Sequence, residues 1–196
     1  MMEEILNKIV KKIESLIDTY PSHLIDESLI KHKIIEVLID EIENPINLKN
    51  LQAEKTCDIF NVTRCDIFFR HNTENVFLEL KLNRLVLKLN ANELSGSNVF
   101  SRDILEILKD LDEMKVINNG EKYLLLLIQN RGVKIGKRYN LSLNEYCKKN
   151  QTNDSKRLIG FIENKDKNAE VIIDKIIHGK VNSIEVPFRL LIFKVK

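Results

Sequence analysis

At 196 residues and 22.9 kDa, with 43% apolar and 31% charged residues, the chain is long enough to bury a sizeable core, and its composition excludes a disordered tail. A formal charge of +2 is too small to mark a nucleic-acid binder by itself, so any such affinity has to come from local clusters. Three cysteines argue against a disulfide framework and for a reducing, cytoplasmic home. Cys57, Cys65 and His71 lack the C-x-x-C spacing of a zinc site, and the cysteines read as small buried hydrophobes.

The opening MMEEILNKIVKKIESLIDTY places Ile5, Ile9, Ile13, Leu16, Ile17 and Tyr20 at helical spacing until Pro21, with lysines interrupting every apolar run; no signal peptide or membrane span is expected. The spacing predicts a second helix from Asp26 to Glu43, closed by the Asn-Pro pair that follows. The pattern then changes to alternation. LQAEKTCDIF (51–60) and RCDIFFR (64–70) read as strands, and the polar HNTEN (71–75) as a turn joining the second of them to VFLELKLN (76–83) in a hairpin. RLVLKLNANELSGSN (84–98) continues the alternation before dissolving into a loop. Ser101 caps SRDILEILKDLDEMK (101–115), an amphipathic helix with Ile104, Leu105, Ile107, Leu108 and Leu111 on its apolar side. KYLLLLIQN (122–130) is nearly all apolar, the mark of a strand covered on both faces, and strand, helix, buried strand is the order of a right-handed crossover within one sheet. Further on, the spacing predicts strands at RLIGFIENK (157–165) and PFRLLIFKVK (187–196), with a helix AEVIIDKIIHG (169–179) between them that Gly179 terminates. No repeat or low-complexity linker divides the chain. A single domain over 1–196 is expected, with a core at about 26–130 and 131–196 as its extension.

In the predicted hairpin, Phe77, Glu79, Lys81 and Asn83 share one face. The pattern acid-x-Lys recurs at Glu113/Lys115, Asp154/Lys156 and Glu163/Lys165. Glu113 lies in a helix, however, and Asp154 in a polar loop, while Glu163 has no strand-borne acid shortly before it. Glu79/Lys81 alone follows a strand-borne aspartate, Asp66, across a short turn. A turn centred near Thr73 puts Asp66 opposite Glu79 or Lys81 and on their face; a slip of one residue puts it on the other face and removes the site.

Asp66 in RCDIFF, then Glu79 and Lys81 in FLELK, followed by a loop, a helix and a buried strand, resemble the core of the PD-(D/E)xK nuclease superfamily over about residues 26–130. The resemblance implies an α/β fold with a restriction-endonuclease-like central mixed sheet flanked by helices, and Mg²⁺-dependent hydrolysis of DNA, with Mn²⁺ as an alternative cation. Phosphodiester hydrolysis needs a divalent cation to neutralise phosphate charge and acidify a bound water, and magnesium is held by one or two carboxylates plus waters and the phosphate itself. Asp66 and Glu79 would be those carboxylates. The resemblance adds the Leu80 carbonyl to the metal shell, and it places Lys81 where its ammonium stabilises developing negative charge.

In this superfamily a helix before the hairpin often supplies a further acid. At about 100° per residue, Ile30, Ile34, Val37, Leu38 and Ile42 form an apolar arc that contains Glu41 but not Glu36, Asp40 or Glu43. An acid facing a core needs a partner or a cation. Glu41 is therefore the expected fourth catalytic residue, with Glu36 second and Glu54 a further candidate.

DNA binding requires local positive charge, and NRGVKIGKRY (130–139) gathers Arg131, Lys134, Lys137 and Arg138 among two glycines, ending in Tyr139, which can stack on a base or sugar. Arg102 and Lys109 are weaker phosphate contacts. His23, His32, His71 and His178 are scattered, and no Gly-rich phosphate loop or nucleophile motif is present. The amphipathic first helix can serve a homodimer interface or cap the core. The expected activity is that of a metal-dependent endonuclease in restriction, host defence or repair. A catalytically inactive nuclease-like module that binds nucleic acid or protein is the alternative, and a plain wet strand face the simplest one.

Overall fold

The computed structural model describes residues 2–21, 24–43, 49–56, 64–83, 100–129, 169–181 and 184–196. Helix α1 (Met2–Thr19) begins with Glu3 and Glu4, whose charges suit the positive end of its dipole, and it buries Ile5, Ile9, Ile13 and Ile17 along one stripe. Helix α2 (Glu27–Glu41) starts where the Asp26 carboxylate accepts the Leu29 N–H at 2.7 Å, an N-cap that fixes its first turn. The predicted start is thus within a residue of the observed one.

The strands are β1 (Leu51–Thr56), β2 (Arg64–His71), β3 (Glu74–Asn83), β4 (Glu121–Gln129), β5 (Ala169–Val181) and β6 (Ile184–Val195), with helix α3 (Phe100–Lys115) between β3 and β4. They form one six-stranded mixed sheet in the order β1-β2-β3-β4-β6-β5. The first three make an antiparallel meander. β4 then lies parallel to β3, a pairing that a hairpin cannot make and that α3 provides by crossing over.

Alternate residues of each strand face opposite layers. Ile67, Leu78, Leu125, Leu127 and Ile192 pack with α1 and α2, whereas Leu124, Leu126, Leu191 and Phe193 pack with Ile107, Leu111 and Met114 of α3. β4 is therefore apolar on both faces because both are covered, as its sequence predicts. α1 packs its apolar stripe into this core, the capping role expected of it. β4 meets its neighbours tightly at its start: a Cβ on Gly120 would lie 2.6 Å from the Asn75 carbonyl oxygen and 2.7 Å from the Phe77 ring.

Residues 169–179 are a strand, not the helix expected from their spacing. β5 pairs antiparallel with β6 along its length, with a register irregularity between Val171 and Ile173, and Gly179 lies within the ladder opposite Val186. The C-terminal part of the chain thus extends the same sheet. The segments 84–98 and 157–165, for which strands were expected, lie outside the described residues, as do Cys57 and Cys147. Cys65 is buried and forms no disulfide. Among the described residues, no helix is long and apolar enough to cross a membrane.

Candidate active site

The hairpin fixes the geometry. Asn72 and Thr73 both take left-handed backbone, with φ 47° and 74°, the two-residue turn whose twist suits paired antiparallel strands. From it the ladder runs from His71–Glu74 to Ile67–Leu78, which puts Asp66 opposite Glu79, with Lys81 next along the same face. This is one of the two registers that keep the three side chains together.

Past that point the sheet forks. β2 stays on β1 as far as Arg64–Thr56 and β3 stays on β4 as far as Asn83–Ile128, but β2 and β3 no longer pair with each other. Side chains take over the exposed backbone donors. The Asp66 N–H donates to Glu79 Oε2 at 3.2 Å, the Leu80 N–H to Asp66 Oδ2 at 2.8 Å, and the Leu82 N–H to Glu27 Oε2 at 3.3 Å. β1 distorts beside the fork, where Glu54 has φ 52°, a conformation that a non-glycine residue adopts at a cost of about 1–2 kcal/mol.

Both helical layers reach into the gap. From α2, Glu27 occupies the first helical position, and one turn later the Lys31 ammonium lies 2.7 Å from Asp66 Oδ1 and also binds the Glu54 carboxylate. From α3, on the other side of the sheet, Asp110 Oδ2 lies 3.0 Å from Lys81 Nζ. Five carboxylates, Glu27, Glu54, Asp66, Glu79 and Asp110, therefore gather around two ammonium groups.

Crowding of like charge in a partly dry place sets the protonation. Burial, reinforced by Asp66 and Asp110, pushes the Glu79 carboxyl up to about 8. Burial and the nearby Asp66 charge also raise Glu27, and burial raises Asp110 although Lys81 opposes it. For the two lysines burial works toward the neutral form, but Asp66 and Glu54 outweigh it at Lys31, and Asp110 outweighs it at Lys81; both stay charged.

An anionic cluster that must hold a proton near neutrality is one that a divalent cation would relieve. Among the described residues, no three His, Cys, Asp or Glu side chains gather as a metal-binding group. Magnesium does not require one, since it keeps several waters and takes one or two protein carboxylates. Asp66 and Glu79, held together across the fork by the Asp66 and Leu80 N–H groups, fit that demand.

From α2 the structure brings Glu27 to the fork, and neither Glu41 nor Glu36. Glu41 points to the other helix, with its Oε2 2.6 Å from Lys8 Nζ of α1, and Glu36 pairs with Lys12 at 2.9 Å and with Lys33. Those ammonium groups hold Glu36 down at about 2. Glu27 stands at the fork instead, at the opposite end of the stripe formed by Ile30, Ile34 and Leu38. Lys31 and Asp110 are further members that the sequence reading missed. Asp110 carried a signal of the kind applied to Glu41, an acid on the apolar side of a helix, between Ile107 and Leu111. Lys109 pairs with Glu113 at 3.1 Å on the exposed side of α3. Arg131, Lys134, Lys137, Arg138 and Tyr139 lie outside the described residues, as does the side chain of Arg102. Comparison with family models, with curated proteins and with solved structures found no match to this chain.

Proposed function

We propose that the chain is a Mg²⁺-dependent deoxyribonuclease with a restriction-endonuclease-like core. The observation that carries this reading is the fork: Glu79 accepts the Asp66 N–H and Asp66 accepts the Leu80 N–H at the point where β2 and β3 separate, with Lys81 on the same face. Two features support it. The order α2-β1-β2-β3-α3-β4, an antiparallel meander followed by a parallel strand, is the one the resemblance implies, and an acid from the preceding helix, Glu27, reaches the same place.

A divalent cation bound here would neutralise charge on a phosphodiester and acidify a water. Asp66 and Glu79 hold that charge in place. Glu27, beside them, adds a further acceptor that can orient a water. The Lys81 ammonium, kept charged by its surroundings, stabilises negative charge as it develops on the phosphate oxygens.

A non-catalytic nucleic-acid- or protein-binding module is the second reading, and one observation favours it: the Lys31 ammonium already occupies Asp66. The test is cleavage of plasmid, linear and single-stranded DNA with Mg²⁺ or Mn²⁺, with Lys81→Ala alongside. Cleavage that falls by about a hundredfold or more in a folded Lys81→Ala protein supports the nuclease. DNA binding without cleavage selects the second reading.

A further inference from the structure

Asp110 sits where a hydrophobe would be worth more to the fold. Ile107, Leu111 and Met114 of α3 are buried against the sheet, and position 110 lies on the same stripe, itself 9% exposed. A carboxylate there costs stability unless it is paired, and a buried pair often contributes less than apolar groups of similar size. Its partner is Lys81. The ammonium feels three carboxylates, Asp110, Glu27 and Glu79, and Asp110 is the one within ion-pair distance.

We propose that Asp110 is a positioning residue: it draws the Lys81 ammonium to the α3 side of the fork and keeps it off Glu79, leaving that carboxylate open to a divalent cation. The proposal rests on the reading of Asp66 and Glu79 as cation ligands. Without the Asp110 charge, the remaining attractors of Lys81 are Glu27 and Glu79, so the ammonium turns toward a ligand and competes with the cation for it. Asp110 acts through Lys81 and does not itself ligate.

A double-mutant cycle read by calorimetric titration with Mn²⁺ tests this, using the full chain and the variants Asp110→Asn, Lys81→Met and both together. Asp110→Asn should weaken Mn²⁺ binding about tenfold when Lys81 is present, and about threefold or less in the Lys81→Met background, where only a distant negative charge is lost. Asp110→Glu should restore affinity to within about threefold of wild type. Should Asp110→Asn fail to fold, Asp110→Leu combined with Lys81→Met removes the whole pair and must still bind within about threefold of wild type. Equal losses in the two backgrounds, or a tenfold loss in the Leu/Met protein, would identify Asp110 as a ligand or a bulk charge and overturn the proposal. Wild-type protein that binds no Mn²⁺ removes the cation reading itself, and the positioning role with it. Wild-type binding with an additive cycle rejects the positioning role alone.

Discussion

Glu79 should make the cation-free protein less stable as pH rises, opposite to the usual behaviour of a carboxylate paired in the folded state. Burial, with Asp66 and Asp110, moves its carboxyl from 4.5 up to about 8. The folded protein therefore holds a proton that the unfolded chain releases above about pH 4.5. A folded state that binds more protons than the unfolded one loses stability with rising pH, so the decline runs from about pH 4.5 to about 8 and levels off above. At ~1.4 kcal/mol per pH unit the whole span would be about 5 kcal/mol. Solvent access and sharing of the proton with its carboxylate neighbours reduce this to ~2 kcal/mol. For a domain of this size that is about 4–8 °C in Tm. The assay is thermal unfolding by circular dichroism in EDTA between pH 5 and 9, for wild type and Glu79→Gln. The wild-type Tm should fall across the window, and the variant should lose most of that slope, retaining a residue from Glu27 and Asp110, which are displaced in the same direction. Saturating Mg²⁺ should raise Tm more at pH 8.5 than at pH 5, because at low pH the cation must displace the proton. A wild-type Tm that is flat or rising from pH 5 to 8, or an unchanged slope in Glu79→Gln, would refute the argument.

Lys31→Met removes the ammonium that competes for Asp66. It should lower the cation-free Tm by several degrees yet tighten Mn²⁺ binding about fivefold, measured by titration calorimetry. Gly120→Ala forces a methyl against the Asn75 carbonyl and the Phe77 ring and should cost about 2 kcal/mol in urea unfolding. Asp26→Ala removes the cap that fixes the first turn of α2; ~1 kcal/mol of stability should go with it, and cation affinity should weaken because Glu27 loses its placement beside the fork.

The hairpin was legible because its determinants are local. The tip of HNTEN sets the register, the register sets the face, and Asp66, Glu79 and Lys81 follow from counting. β4 was legible because burial on both faces leaves an apolar run no amphipathic element would carry. β5 was not. Ile172, Ile173, Ile176 and Ile177 recur at three- and four-residue spacing, which reads as one side of a helix. In the structure those four isoleucines are split: Ile173 and Ile177 turn to the core, while Ile172 and Ile176 are 40% and 46% exposed on an outer strand, and the irregularity at Val171/Ile173 breaks the alternation that would have identified it. The run of β-branched residues was the better guide there, since such side chains favour the pleated surface over the helix.

Glu41, preferred over Glu36, lies away from the fork for a different reason. The argument that an acid on the buried stripe of α2 needs a partner is sound at both ends of the helix, and both acids have one: Lys8 for Glu41, the Leu82 N–H for Glu27. What the stripe does not encode is which end of the helix lies over the fork. That is decided by packing between α1 and α2, which places the C-terminal turn of α2 against a lysine of α1, and by the Asp26 cap, which starts the helix so that Glu27 and Lys31 face the gap between β2 and β3. Glu27 also resembles the many first-turn acids that serve only the helix dipole, and nothing local distinguishes it from them. An acid at one end of a buried helical stripe therefore identifies two candidate positions, and only the neighbouring layer selects between them. Exchanging Glu27→Gln and Glu41→Gln separates the two on a single readout: loss of Mn²⁺ affinity should follow Glu27→Gln alone, and Glu41→Gln should change only the coupling of α1 to α2, seen as a lower Tm with unaltered cation binding.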